Sequence, residues 1–166
     1  MATLIAIPIM TGLMILQSSI ISRVPLLQGT PDLLLLAVLA WTLQKRVQTA
    51  WQWCIIAAVI FTLVSALPLG AALLGYILST GVALILRRQV WQIPILALFV
   101  AVLLGTFVSQ GVSLVALRLV GDPIPILQSF NLVILPSALL NLLFAIPAFA
   151  LLGDLASWLY PEELEA

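Results

Sequence analysis

Histidine is absent from these 166 residues, and cysteine occurs once, as Cys54. The first absence removes the commonest metal ligand and the side chain best suited to acid–base work near neutral pH. The second excludes an intrachain disulfide and leaves the redox compartment unreadable from thiols. Charge is scarce as well: six basic and six acidic residues make up 7% of the chain, against roughly 25% in a soluble domain. No basic run is long enough to suggest a nucleic-acid partner. What is present is apolar: 64% of residues are hydrophobic and the mean hydropathy is +1.29. A polar surface for a soluble fold does not exist in this composition, so the chain reads as an integral membrane protein in contact with the lipid bilayer.

Six apolar stretches, at 4–22, 32–43, 51–67, 70–86, 93–117 and 130–159, predict one all-α transmembrane domain over 1–166, a compact six-helix bundle. The first stretch is too long for the core of a signal peptide and is read as a retained helix, bent by Pro8. Gln17, Ser18 and Ser19 crowd its far end. Pro31 and Asp32 open the second, proline at the first helical position and an acid in the first turn. At about thirteen residues this span is short for a bilayer core of about 30 Å. Pro68-Leu69-Gly70 is expected to form a tight turn between the third and fourth spans. The last run is long, bends at Pro136 and Pro147, and carries Asn141 at depth, where an amide must find a partner on another helix or in a cavity.

Lys45, Arg46, Arg87 and Arg88 fall on one side of a six-span arrangement, and Arg23 and Arg118 on the other. The positive-inside rule then places both termini in the cytoplasm. Trp41, Trp51, Trp53, Trp91 and Trp158 all fall at the cytoplasmic ends, where interfacial anchors belong. The basic pairs are expected to set topology and to meet cytoplasmic partners or anionic lipid. Small residues recur every fourth position: Ala71, Gly75, Ser79 and Ala83 on the fourth span, Ala97, Ala101, Gly105, Ser109 and Ser113 on the fifth. Residues four apart share a helix face, and such faces let backbones approach closely in lipid. They serve packing within the chain or, on a sharper reading, a partner's helix at Ala71, Gly75, Ser79, Ala101, Gly105 and Ser109.

Chemistry-bearing constellations are missing. Asp32, Asp122 and Asp154 sit at span ends or in a loop, and Glu162, Glu163 and Glu165 in the tail. No carboxylate pair falls at mid-span, where an ion or proton path wants one. No phosphate-binding glycine loop and no metal-ligand spacing appears. The expectation is a protein that is not an enzyme, with no cofactor and no metal. Gln110 and Asn141 are expected to brace helices by hydrogen bonds or to line a cavity for a small polar ligand.

Three features are similar to the bacterial rod shape-determining membrane protein family MreD. Leu135-Pro136-Ser137-Ala138-Leu139-Leu140-Asn141 through Pro147 resembles that family's terminal helix. Pro68-Leu69-Gly70 ahead of Gly75-Tyr76 resembles its central turn, and Leu16-Gln17 followed by Pro31-Asp32-Leu33-Leu34 its opening. Members often carry an acid shortly before the Pro-Leu-Gly turn; residues 61–66 hold none, so no role of that acid carries over. The resemblance implies a non-enzymatic component of the cell-elongation (rod) complex in the bacterial inner membrane, helping to organise peptidoglycan synthesis and cell shape. It further implies pairing with the single-span protein MreC, alongside MreB, RodA and an elongation transpeptidase, and structural roles for Pro68, Gly70, Pro136 and Asn141. The layout is also similar to the substrate-binding S-components of energy-coupling-factor vitamin transporters, an alternative that a bound vitamin would reveal.

Overall fold

A computed structural model describes residues 2–21, 29–65, 67–89, 93–121 and 125–161. Arg23, Trp91, Asp122 and the three glutamates of the tail lie outside the described residues, and so do the readings that rest on them. Helices are α1 (Ala2–Ile21), α2 (Leu33–Leu43), α3 (Ala50–Val64), α4 (Leu69–Gln89), α5 (Pro94–Val120), α6 (Ile126–Ser129) and α7 (Leu135–Leu159). A π-helical turn, Phe130–Ile134, joins α6 to α7, making one helical run of 34 residues from Ile126 to Leu159. No strand occurs among the described residues. Four runs are long and apolar enough to cross a membrane: Ala2–Ser19, Gly70–Arg88, Pro94–Val120 and Ile126–Leu159. The protein is thus all-helical, with the character of a multi-pass membrane protein.

Two apolar helices are shorter, and α2 is the informative one. All 11 of its residues are buried, so it has no lipid-facing side. A helix apolar all round belongs inside a bundle, and Leu33-Leu34-Leu35-Leu36-Ala37-Val38-Leu39-Ala40 is such a run. At 1.5 Å per residue it is about 16 Å long, roughly half a bilayer core. The other helices wrap it, with α3, α4, α5 and α7 all against it and α1 flanking.

One end of the bundle gathers the start of α1, the end of α2, the starts of α3 and α5, and the ends of α4 and α7. Thr3 Oγ1 donates to Gln52 Oε1 at 2.6 Å, and Trp53 Nε1 to the Ala2 carbonyl at 3.2 Å. Arg87 reaches the carbonyls of Thr42 and Val47, and Arg46 that of Tyr160. The helical runs therefore alternate in direction along the chain. Trp41 and Trp53 were expected to be interfacial anchors and are not. Both are fully buried, stacked with ring centroids 4.0 Å apart, and Trp41 Nε1 donates to Thr49 Oγ1 at 3.2 Å. An indole needs a polar neighbour for its N–H, and the turn after α2 provides one inside the fold. Trp51 and Trp158 are exposed at that end.

Two further expectations are corrected. Leu69 and Gly70 form the first turn of α4 rather than a turn before it; the Pro68 carbonyl accepts from Ala71 N at 2.9 Å. A methyl group on Gly70 would meet nothing within 4 Å, so glycine is not needed there. The last helical run begins at Ile126, not 130. It widens to the π-helical turn just before Pro136, where a proline ring would otherwise crowd the preceding carbonyl and has no N–H to give. Phe130 in that turn stacks on Phe107 of α5, centroids 5.9 Å apart.

Candidate functional site at the two ends of the buried helix

An α-helix leaves its first N–H and last C=O groups without partners inside the helix. Away from water, non-helical backbone is tolerated only where protein satisfies it. Helix α2 meets both conditions, and its two ends solve them differently.

At the N-terminal end the chain enters as Gly29–Asp32, pressed on α7. A methyl group on Gly29 would collide with Pro136 and with the Ser137 backbone, so only glycine fits this crossing. Thr30 N donates to Ser137 Oγ at 3.0 Å. Asp32 N donates to Asn141 Oδ1 at 2.9 Å, and Leu33 N to Gln17 Oε1 at 2.8 Å. Asp32 itself caps the helix: its Oδ1 accepts from Leu35 N at 3.0 Å and from Tyr76 Oη at 2.7 Å. Asn141 Nδ2 turns to Thr106 Oγ1 at 3.0 Å, and that hydroxyl donates to the Val102 carbonyl at 2.7 Å. Side chains from α1, α4, α5 and α7 thus converge on the start of α2, and Gln17, Asp32, Tyr76, Thr106, Ser137 and Asn141 are all buried. Asp32 is therefore an interior cap, not a residue of the first turn at the membrane surface, and Pro31 precedes the helix rather than opening it.

At the C-terminal end Arg87 of α4 does the capping. Its Nη1 donates to the carbonyls of Thr42 at 3.1 Å and Val47 at 2.9 Å, and Nη2 to that of Lys45 at 2.7 Å. A cation beside terminal carbonyls also suits the negative end of the helix dipole. Arg87, expected to face lipid or a cytoplasmic partner, is turned inward onto this loop. Lys45, Arg46 and Arg88 are exposed around it. Gln44 Nε2 reaches the Phe149 carbonyl at 3.3 Å and ties the loop to α7.

The small-residue faces of α4 and α5 are packed against each other. Ser79 Oγ lies 2.8 Å from the Gly105 carbonyl and 2.7 Å from that of Gly75. A methyl group on Gly75 would press on Ser109 at 3.2 Å, and one on Gly105 on Leu39 of α2 at 2.7 Å. Ala71, Ser79, Ala101 and Ser109 are buried as well. These six residues, expected on the sharper reading to hold a partner's helix, are occupied within the chain: the close approach that small residues permit brings α4, α5 and α2 together. Gln110 is half-buried and lines a cavity of about 400 Å³ between α5 and α6, apart from Asn141.

A groove of about 420 Å³ lies between α1 and α7, with α2 as its floor. Ile9, Leu13 and Leu16 form one wall, Phe144, Ala148 and Leu151 the other, and Leu33, Leu36 and Ala37 the base. Among the described residues no charged one lines it. The sequence flagged neither this groove nor the Tyr76 and Thr106 contacts; the only available signal was a hydroxyl in the middle of an apolar helix. Comparison of the chain with protein-family models, curated proteins and solved structures finds no match.

Proposed function

We propose that this chain is a scaffold of the bacterial cytoplasmic membrane that crosses it six times, with both termini in the cytoplasm, and works without catalysis in the cell-elongation complex. The reading rests on the resemblance to the MreD family. One observation supports it: six buried polar side chains, Gln17, Asp32, Tyr76, Thr106, Ser137 and Asn141, close around the start of α2. They are spent on holding helices together, so the lipid-facing body is left to act through its surface. The six-pass topology is supported by the alternating helix directions, with α2 crossing as a short, sheathed helix whose entry segment is carried by protein at depth. Lys45, Arg46, Arg87 and Arg88 gather at the end assigned to the cytoplasm.

The groove between α1 and α7 is the face we assign to the single transmembrane helix of an MreC-like partner. Its walls are two helices, it runs along α7 from Phe144 to Leu155, about three turns, and it offers a third helix an apolar bed without charge. The test is a mild-detergent pulldown with mass spectrometry of proteins and small molecules. A single-span elongation protein should co-purify, and Ala148→Trp should abolish its recovery while leaving the elution profile of the protein unchanged. A vitamin carried through purification would overturn this reading in favour of a transporter S-component, and recovery unaffected by Ala148→Trp would remove the groove from it.

A further inference from the structure

At the end that carries the basic residues, a cavity of about 450 Å³ opens between the C-terminal end of α2, the end of α4 and the start of α5. Its cationic lining is Lys45, Arg87 and Arg88; its apolar lining is Leu43, Leu84, Pro94 and Ala97. Among the described residues no carboxylate lines it. We propose that this cavity holds the phosphate of an anionic membrane phospholipid, whose chains lie along the adjoining apolar surface.

Three observations converge. Among the described residues Arg87 donates only to carbonyl oxygens, which carry no net charge and so leave its own charge undiminished at the cavity wall. Those bonds also fix the 42–47 turn and so position Lys45, whose ammonium makes no hydrogen bond among the described residues. Third, α5 starts at Pro94 on the cavity wall with no side chain capping its first N–H groups, which adds the positive end of its dipole to the same space. Basic pockets between transmembrane helices at the inner surface are where anionic headgroups settle. A free phosphate offers the same charge but has no use for the apolar walls, or for exposed Ile85, Ile93 and Leu96 beside them. The lipid is the ligand that matches both halves of the lining.

The proposal rests on the assignment of this end to the inner face of the membrane, but its test does not involve the protein partner. The full chain is purified in mild detergent, stripped of lipid, and titrated with phosphatidylglycerol, phosphatidylcholine or inorganic phosphate, with bound species read by native mass spectrometry. One phosphatidylglycerol should be retained under conditions that remove phosphatidylcholine, and millimolar phosphate should not displace it. At about 1 kcal/mol per cation, Lys45→Ala and Arg88→Ala should each weaken retention about fivefold, and together about twenty-fivefold. Leu84→Trp, with every charge in place, should also lose the lipid by filling the cavity, and it keeps the test alive if the double variant fails to fold. Equal retention of the two lipids, displacement by phosphate, or retention unchanged in Leu84→Trp or in a folded double variant overturns the proposal. None of these results bears on whether an elongation protein co-purifies.

Discussion

The two ends of α2 face the same physical demand and meet it with opposite materials. The front end is closed by one carboxylate and five uncharged side chains drawn from four helices, each making a short bond to backbone or to another member of the set. The rear end is closed by one guanidinium, half-exposed, that serves three carbonyls at once. Where protein surrounds the helix end on all sides, every donor needs its own acceptor, and the cost of losing one is the full desolvation of its mate. Where the bonds are only part-buried or exposed, a single long cation suffices. The front end is built for rigidity; the rear leaves Lys45, Arg46 and Arg88 exposed around it.

Substitutions sharpen that contrast. Asp32→Ala should have the largest effect, since it strips the acceptor from both Leu35 N–H and Tyr76 Oη; a loss of about 3 kcal/mol is expected from two orphaned buried groups, read as thermal or denaturant unfolding in mild detergent. Asp32→Asn keeps an oxygen in the same place and should lose about 1 kcal/mol. Asn141→Leu should cost about 2 kcal/mol by unpairing Asp32 N–H while leaving Thr106 its own bond to Val102. Gly105→Leu forces a side chain against Leu39 and should destabilise by about 1–3 kcal/mol, whereas Gly111→Ala, whose added methyl group meets nothing within 4 Å, should be close to neutral. Arg87→Ala should cost about 1 kcal/mol, less than Asp32→Ala, because its bond to the Lys45 carbonyl is exposed and water can take its place there. If Arg87→Ala proves as damaging as Asp32→Ala, the two ends do not differ in the way described.

The helices were legible because apolar run length is a strong signal, and six such runs are helical here. Asn141 was legible as a group in need of a partner, since an amide in an apolar helix has few other options. Its partner was not, because Asp32 stands at the start of a stretch, and position along the chain does not report depth. The stretch 32–43 is visibly short for a span; that its shortness means a half-length helix sheathed by the others follows only from the packing of four neighbours. The same blindness applied to Trp41 and Trp53, whose residue type and place near span ends suggested an interface while their partners, Thr49 and the Ala2 carbonyl, lay elsewhere in the chain. The small-residue stripes marked close approach correctly, but a stripe carries no address.

Asp32 N–H is bonded 109 residues downstream, to Asn141. When a ribosome has delivered only the first half of this polypeptide, the entry to its second helix has neither Asn141 nor Ser137 to receive it. That segment cannot lock into place until the final helix has been made.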